Sequence, residues 1–543
     1  MPDRVRTLLV FTVALVVLVA GLSTYALWDP DEGRHSAIAR ELFNATTWRG
    51  WIVPSHNFAD YHDKPILYYW LTSLAYGVAG VNEVGARLVA VLSALATLGA
   101  VFAWTATLWN VRLARRAVLV LTTSAGFMCL GRYGSLDMLL TCWLTLGLFA
   151  AERATALPER HVFAAAAGVA AGLGMLTKGL VAPLFIAGIP FLHVWIAGRR
   201  IPPMHALLLA ASAFIVVAAP WYAAVGIVDP AYLREFFLVH HLERFTSDGT
   251  TFHAGPWWYY APGLALMFFP WSLLVPAAAG ATAPRSDAGL RFCWCWAVVV
   301  IGFFSCSHGK LATYILPALP PLAIIMAHAI DAIATAPGAA LRRLAAGGVA
   351  ALAVVLSVLV PIALRLHHRP WDVVIAQAAP YLLLFPASAI LLLASWWWRG
   401  IRGAAFAMAT TTFVIVVTFY TRMAPVVSEV VSERALAEMI ATHPTAPIVS
   451  YQVTPASLLF YSGRPIRRLG RPRELREALF QAPFTWIVTS PRHVEEITRA
   501  TPAYPWVTVG RHVLYATAPL GAVAQGRSAL TSLLSGATMS LRR

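Results

Sequence analysis

Long apolar runs, separated by short polar segments, dominate the first 420 residues of the chain. Runs of about 18 or more apolar residues are long enough to cross the hydrocarbon core of a bilayer as helices. The pattern predicts thirteen spans, near residues 8–27, 86–108, 117–131, 135–151, 161–177, 179–198, 204–225, 257–281, 290–305, 311–330, 344–364, 380–398 and 402–420. The hydropathy pattern therefore predicts a polytopic α-helical membrane protein.

The arginines between the runs predict the orientation, because cytoplasmic loops carry an excess of Lys and Arg. With the N-terminus inside, every predicted cytoplasmic segment holds at least two arginines, as at Arg199 and Arg200. The apolar stretch 65–80 is interpreted as a helix lying at the interface, since counting it as a span would place those pairs outside. The first run could be a signal peptide, but no small-x-small site closes it.

The composition changes near residue 422, where prolines begin to punctuate shorter elements. We predict a small outer α/β domain over 422–520, following a transmembrane domain over 1–421 that includes a large first outer loop at 28–85. Residues 521–543 are expected to form a loose tail. The predicted elements are helices near 428–442, 473–481 and 492–499, strands at Ile448–Val453 and Thr485–Thr489, and a hairpin at 506–517. The domain is interpreted as a packing or substrate-guiding cap.

Composition excludes two other classes of protein. Hydrophobic residues make up 59% of the chain and charged residues 12%, which a water-soluble globule cannot carry. The net charge of +16 could suggest nucleic acid, but the arginines lie in twos and threes between apolar runs instead of on one basic face. No nucleic-acid partner is predicted. The five cysteines fall inside apolar runs and are interpreted as packing residues.

Lysine is rare in this chain, which has three lysines against 38 arginines. Lys64, Lys178 and Lys310 each lie at the edge of an apolar segment. Lysine is a common phosphate binder and is not interchangeable with arginine, so these positions are candidate anion sites. The alternative is that each is an ordinary boundary charge that anchors a helix at the interface.

The predicted topology places the unusual polar residues on the outer face, and ionisable groups near a membrane usually mark function. Carboxylates beside cations suit a reaction in which an anionic group departs while an acceptor is held or deprotonated. The chain has no phosphate-binding loop or dinucleotide fingerprint, so the activated group is expected on a lipid phosphate. The clustered residues include Asp31, Glu32, Tyr61, Asp63, Lys64, Asp137, Lys178, His241, Arg244, Lys310 and Tyr314.

Seven short motifs occur in one order over residues 28–330: Trp-x-Pro-Asp-Glu, Asp63-Lys64-Pro65, Leu136-Asp137, Thr177-Lys178-Gly179, His241-x-x-Arg-Phe, Pro256-Trp-Trp-Tyr-Tyr and Gly309-Lys310-Leu-x-Thr-Tyr314. With them the chain resembles the bacterial aminoarabinose transferases of lipid A, membrane glycosyltransferases of the GT-C type in the superfamily of the protein O-mannosyltransferases. The resemblance implies transfer of 4-amino-4-deoxy-L-arabinose or a related sugar from undecaprenyl phosphate to a lipid A phosphate, on the periplasmic side of the inner membrane.

The resemblance also implies roles for single residues. Catalysis is expected of Asp31, Glu32 and Asp137, and binding of the donor phosphate is expected of Lys64, Arg244, Lys310 and Tyr314. Substrate binding is expected of Tyr61, Asp63, Lys178 and His241. No cofactor is required, although Asp63 and His241 could hold a divalent metal ion. The expected partners are the undecaprenyl-phosphate sugar donor, lipid A or a similar acceptor, and membrane lipids.

Two departures from the family bear on the sugar. Asp63 stands where the family commonly has Glu, and three extra residues lie between Asp31 and Lys64, so a different sugar is an alternative. A protein O-mannosyltransferase would share the donor lipid. A transporter would hold its charges near the bilayer midplane and often shows an internal repeat, which this sequence lacks. The predicted reaction is an inverting displacement in which Asp31 aligns or deprotonates the acceptor while Lys64 and Arg244 neutralise the departing phosphate.

Overall fold

A computed structural model describes residues 2–198, 201–243, 255–282, 287–335, 339–365, 371–480, 484–500, 504–509 and 511–517. The N-terminal half contains helices α1 (Asp3–Val19), α2 (Asp31–Phe43), α3 (Trp48–Ile52), α4 (Leu67–Ala79), α5 (Glu83–Leu108), α6 (Val111–Thr122), α7 (Ala125–Leu130), α8 (Leu136–Ala156), α9 (His161–Lys178), α10 (Val181–Ile196), α11 (Met204–Val228) and α12 (Pro230–Arg234). A π-helix follows at Glu235–Glu243.

The second half of the membrane region contains α13 (Tyr260–Met267), α14 (Val275–Ala281), α15 (Ala288–Cys306), α16 (Leu319–Thr335), α17 (Ala339–Arg365), α18 (Asp372–Ala378), α19 (Leu384–Thr418) and α20 (Ala424–Val431). Short 3₁₀ segments join them at Trp257–Tyr259, Trp271–Leu274, Ala312–Ala318 and Ala379–Tyr381, and a second π-helix lies at Phe419–Met423.

Seven helical segments of the described chain are long and apolar enough to cross a membrane, which supports a multi-pass membrane protein. They are Glu83–Leu108, His161–Lys178, Met204–Val228, Ala288–Cys306, Ala312–Thr335, Ala339–Ile362 and Val374–Val431. The remaining predicted spans correspond to shorter or less apolar helices, such as the 17-residue α1 and the 16-residue α10. The count of thirteen spans stays a prediction.

The span predicted over 257–281 is not one straight helix. Trp257–Met267 and Trp271–Ala281 form two pieces that are bent by 110° relative to each other. Pro270 lies in the break between the two pieces, where a proline removes a backbone donor and clashes with the preceding turn. The apolar pattern predicted the right residues but missed the bend.

Gly400 marks the boundary between the predicted spans 380–398 and 402–420. Both spans lie in α19, which is interrupted at Gly400 by a non-helical backbone with φ 59° and ψ −146°. Glycine adopts this left-handed region of φ without the steric cost that a Cβ would bring. The two apolar runs therefore meet at a glycine kink.

The first outer loop, between α1 and α5, is built from α2, α3, a two-stranded ribbon of β1 (Ser55–His56) and β2 (Ala59–Asp60), and α4. Helix α4 has 13 residues and spans about 20 Å, shorter than a full crossing. This length agrees with an element that does not cross the membrane. Tyr68, Tyr69 and Tyr76 on α4 are fully or nearly fully buried.

The C-terminal region contains a five-stranded sheet. Its strands are β3 (Ile448–Tyr451), β4 (Ile466–Leu469), β5 (Trp486–Thr489), β6 (Tyr504–Val509) and β7 (His512–Ala516), and its helices are α21 (Arg434–Ile440), α22 (Ala456–Ser462), α23 (Pro472–Phe480) and α24 (Val494–Ala500). The strand order is β4-β3-β5-β7-β6. The neighbours β3–β4 and β3–β5 are parallel, whereas β5–β7 and β6–β7 are antiparallel.

Two of these elements, α22 and β4, are missing from the sequence prediction. Strand β4 reads Ile-Arg-Arg-Leu, in which two exposed arginines separate two buried apolar residues. An edge strand tolerates such exposed charges, so it has little of the hydrophobic alternation by which strands are recognised. The predicted loose tail beyond 520 lies outside the described residues.

The C-terminal region packs directly on the first outer loop. The Asn57 side chain donates to the Ile466 carbonyl and accepts from the Ile466 N–H, both at 2.8 Å. Asp29 Oδ1 accepts from the Ser457 N–H at 2.7 Å. A Cβ added at Gly33 would lie 2.5 Å from the Ser457 nitrogen, so only glycine permits this approach of α2 to α22. These contacts hold the sheet over α2.

Candidate active site

A cavity of about 520 Å³ lies where the first outer loop meets the ends of several helices. One part of its lining is polar, with side chains from the loop, from α8 and from α9. The rest is apolar and includes Leu184, Leu238, Phe303 and Phe304. The polar lining residues are Asp63, Lys64, Asp137, Lys178, Ser307, Thr313 and Tyr314. The cavity therefore combines charged groups with an apolar wall, as an amphiphilic ligand requires.

Lys178 and Asp137 form an ion pair inside the cavity, with Nζ and Oδ1 2.5 Å apart. Asp137 lies in the first turn of α8, and Lys178 is the last residue of α9. The Lys178 ammonium also lies 4.9 Å from the centre of the Tyr314 ring, within the range of a cation–π contact. Lys178 is therefore a cavity residue, and the interpretation of it as a simple helix anchor is not supported by this placement.

Asp63 and Lys64 form the second ion pair of the cavity, with Nζ and Oδ1 2.6 Å apart. The Tyr61 hydroxyl donates to Asp63 Oδ2 at 3.1 Å, and the Tyr232 hydroxyl donates to the Lys64 carbonyl at 2.8 Å. Burial, together with the negative charge of Asp63, raises the pKa of Tyr61 well above its ordinary value. Tyr61 therefore stays a neutral hydrogen-bond donor over the physiological range of pH.

Arg34 connects this pair to Asp31. Asp31 lies in the first turn of α2 and forms a partly exposed ion pair with Arg34, one turn later. Burial opposes the charge of Arg34, but the negative charges of Asp31 and Asp63 help to raise its pKa overall. Asp31 is therefore paired with Arg34 and is not among the described residues that line the cavity.

Glu32 occupies a different environment from Asp31. Its side chain and that of Arg87 are both fully buried, and they form a bidentate pair with N–O distances of 2.8 and 2.9 Å. The Glu32 carboxylate also accepts from the backbone N–H groups of Trp28 and Gly134. Arg87 donates its remaining protons to backbone carbonyls that follow α1. The catalytic role of Glu32 stays a prediction, and this geometry favours a structural one.

Lys310, like Glu32, contacts groups that hold the fold together, in this case backbone carbonyls. Its side chain is buried, and its ammonium donates to the carbonyl of Ser305 at 3.0 Å and to that of Ser307, at the C-terminal end of α15. The neighbouring residues Ser307 and Gly309 line the cavity, whereas Lys310 is not among the lining residues of the described chain. Its predicted contact with a donor phosphate has no geometric support here.

Two predicted site residues cannot be placed. Arg244 lies outside the described residues, and His241 belongs to the described π-helix but its side chain does not. The proposed metal pair of Asp63 and His241 therefore stays a prediction.

Arg87, Tyr232 and Arg34 were not singled out from the sequence as site residues. A usable signal existed for Arg87, because an arginine near the start of a long apolar helix needs a buried partner. Arg34 follows Asp31 at the i,i+3 spacing of a helical ion pair.

Sequence comparison places the chain among known membrane proteins. The family model described as dolichyl-phosphate-mannose-protein mannosyltransferase matches residues 63–223. A protein of Pectobacterium carotovorum, named undecaprenyl phosphate-alpha-4-amino-4-deoxy-L-arabinose arabinosyl transferase, is 37% identical over 368 residues. That alignment covers 65% of this chain and 65% of the relative, so the chain spans just under two thirds of its length. Over this stretch the chain is similar to the named aminoarabinose transferases.

A protein of the same name from Pseudomonas aeruginosa strain PAO1 is 33% identical over 332 residues, which cover 60% of this chain and 59% of that one. Among solved structures, ArnT from Cupriavidus metallidurans bound to undecaprenyl phosphate matches with a TM-score of 0.78 at 23% identity, covering 94% of this chain and 98% of that one. The archaeal oligosaccharyltransferase AglB of Archaeoglobus fulgidus matches with a TM-score of 0.54 at 11% identity, covering 95% of this chain and 75% of that one. These likenesses confirm the predicted fold class, a helical membrane protein of the GT-C type.

Proposed function

We propose that the protein is an inverting glycosyltransferase. It moves 4-amino-4-deoxy-L-arabinose or a related sugar from undecaprenyl phosphate to a phosphate of lipid A, at the periplasmic face of the inner membrane. The observation that carries the proposal is the cavity in which Lys64 and Lys178, each paired with a carboxylate, stand beside an apolar wall. The proposed donor, undecaprenyl phosphate carrying the sugar, is the one that the names of the relatives from Pectobacterium and Pseudomonas give.

The two lysines are suited to the phosphate of the donor. An ammonium carries three N–H groups, and a bound phosphate could take over some of the contacts that these lysines make in its absence, such as that of Lys64 to the Asp63 carbonyl. The neighbouring carboxylates hold both ammonium groups at the cavity in the absence of a ligand. The apolar residues Leu184, Leu238 and Phe303 would contact the first isoprene units of the lipid tail.

The reaction proceeds by attack of an acceptor oxygen on the anomeric carbon. The bond from that carbon to the donor phosphate oxygen breaks, and its electron pair leaves with the phosphate. Lys64 and Lys178 stabilise the added negative charge. A hydrogen bond to a charged group contributes about 1.5–3 kcal/mol, so two that strengthen in the transition state would accelerate the reaction about 10²- to 10⁴-fold. No cofactor is required by this chemistry.

Asp31 and Arg34 would act on the acceptor. A phosphate is already ionised near neutral pH and needs alignment more than deprotonation. Arg34 can contact an anionic acceptor while Asp31 keeps the guanidinium in place, since a guanidinium has five donors in a fixed fork. In this arrangement Asp31 is a positioning residue.

The decisive experiment compares the mass of lipid A from cells with and without the gene, together with in vitro transfer from a synthetic undecaprenyl-phosphate sugar. The expected result is an added aminopentose mass on phosphate, lost in Lys64→Met and Lys178→Met variants that still insert in the membrane. The alternative is a protein O-mannosyltransferase, which the family model matching residues 63–223 favours. Unchanged lipid A with hexose added to proteins would establish that alternative.

A further inference from the structure

His62 lies between two carboxylates from a distant part of the chain. Its Nε2 is 2.7 Å from Asp229 Oδ2, and its Nδ1 is 2.7 Å from Glu235 Oε2. Asp60, two residues before His62, brings a third carboxylate. One ligand atom from each of Asp60, His62 and Asp229 lies within 4.8 Å of the others. Three groups with metal-ligating atoms therefore converge on one point.

The converging residues belong to two separate outer segments. Asp60 ends β2 of the first outer loop, and His62 follows it in the same loop. Asp229 immediately follows α11, and Glu235 begins the π-helix. The side chains of His62 and Asp229 are mostly buried, with 14% and 11% of their surface exposed. The cluster is thus held by tertiary structure and is not a run of adjacent surface acids.

The ligand set suits one class of ion. Imidazole and carboxylate together favour divalent transition metals such as Zn²⁺, whereas Mg²⁺ and Ca²⁺ favour oxygen ligands alone. One imidazole nitrogen and two carboxylate oxygens supply three ligands, and a water molecule can complete the four-coordinate geometry of zinc.

Glu235 provides a second, independent indication. A metal-bound histidine almost always donates its other ring N–H to a carboxylate or carbonyl, which fixes the tautomer and the orientation of the ring. Nε2 of His62 faces Asp229, and Nδ1 faces the Glu235 carboxylate, which would accept from it when Nε2 binds the ion. The carboxylate–histidine–metal arrangement is therefore already assembled.

The local charge also calls for a cation. Three carboxylates surround the His62 imidazole, and Arg49 compensates one of them through contacts to Asp60 at 2.8 and 3.0 Å. A divalent ion bound to His62 in place of a proton would balance the charges of Asp229 and Glu235. Asp60 can keep Arg49 and still bind an ion, because each carboxylate oxygen has two lone pairs.

We propose that Asp60, His62 and Asp229 bind a divalent transition-metal ion of the Zn²⁺ type, with Glu235 orienting His62. The site is separate from the Asp63–His241 pair. The ion ties the residues just before Asp63 and Lys64 to the segment that brings Phe237 and Leu238 to the cavity wall. Its role is to position these two segments against each other, and it takes no part in the bond that is broken.

The test is metal binding by the purified full-length protein in detergent. After removal of metals with a chelator, titration with ZnCl₂ followed by calorimetry should give one site per chain. Loading with Co²⁺ should give a visible absorption spectrum of nitrogen and oxygen ligands without thiolate bands. We expect His62→Phe and Asp229→Asn to weaken Zn²⁺ binding at least 100-fold, and Glu235→Gln to weaken it about 10- to 100-fold.

Asp63→Asn is the matched control, because it removes the neighbouring carboxylate and leaves the proposed ligands intact. It should keep the affinity of the unchanged protein. Loss of Zn²⁺ binding in Asp63→Asn but not in His62→Phe would overturn the proposal, as would no stoichiometric Zn²⁺ binding at all. Should His62→Phe fail to fold, Asp60→Asn and Glu235→Gln, at more exposed side chains, decide the question by the same titration.

Discussion

Replacing Glu32 by Gln removes one charge from an ion pair that solvent does not reach. Both Glu32 and Arg87 are 0% exposed. Gln is nearly the same size, but its NH₂ group must face donors, because the Glu32 oxygens accept from Arg87 and from the Trp28 and Gly134 N–H groups. The substitution therefore leaves the Arg87 charge buried without its counter-charge. It also places the NH₂ group of the glutamine against N–H groups that need an acceptor.

The expected loss of stability is large. Breaking a buried ion pair by removing one partner costs about 3–5 kcal/mol. Native proteins are stable by only about 5–15 kcal/mol, so the loss is a substantial fraction of the total. We expect Glu32→Gln to lower the Tm in detergent by about 5 °C or more, and turnover to fall in proportion to the folded fraction.

Two variants serve as controls for this experiment. Glu438→Gln opens an exposed pair with Arg434 and should change stability by less than about 1 kcal/mol. The double variant Glu32→Met with Arg87→Met removes both charges but leaves unpaired the backbone groups that the two side chains contact, so it should stay destabilised through lost hydrogen bonds instead of a buried charge. A normal Tm for Glu32→Gln together with a 10²-fold loss of kcat would refute the structural assignment and restore Glu32 as a catalytic residue.

Three further substitutions test the rest of the site, and a fourth tests the packing of the C-terminal region. Lys178→Arg places a broad guanidinium where a compact ammonium contacts Asp137, and in vitro transfer should fall at least 10-fold; equal activity would argue against a phosphate contact. Lys310→Met should change the KM for the donor lipid by less than about twofold in the folded protein, and a large KM increase with normal Tm would return it to the phosphate site. Asp31→Asn should lower kcat about 10²-fold with donor binding retained, because Arg34 would no longer be held against the acceptor; a lipid-binding assay on the same sample checks donor binding. Gly33→Ala should loosen the C-terminal domain and expose it to limited proteolysis, since the new Cβ would lie 2.5 Å from a backbone nitrogen; unchanged protection would contradict the packing described above.

The clustering of polar residues on one side of the predicted topology correctly indicated where the cavity lies. Asp63, Lys64, Asp137, Lys178 and Tyr314 come from separate segments, and the structure brings all five to the same cavity. Topology made this predictable, because the ends of spans on one side of a membrane meet at one surface. The same reasoning could not rank the three lysines, since the direction of each side chain depends on packing that the sequence does not display.

Adjacency in sequence did not indicate how different the surroundings of Asp31 and Glu32 are. Successive helical residues point about 100° apart, so Glu32 faces the interior while its neighbour Asp31 remains partly exposed. The partner of Glu32, Arg87, lies 55 positions further along in an apolar helix. The sequence pattern did not predict the bend at Pro270 either, because hydropathy shows which residues are apolar and not the direction in which the chain runs.

The contacts between the first outer loop and the C-terminal sheet determine the order in which the protein can be completed. Asn57 pairs with Ile466, and Asp29 with Ser457, more than 400 positions later. In the predicted topology the loop is exported during synthesis, long before its partners leave the ribosome. The face of α2 that will contact α22 therefore stays uncovered while every later span is inserted. A nascent chain arrested before residue 456 would present this unfinished face to chaperones and proteases outside the membrane, and maturation of the loop would coincide with the end of translation.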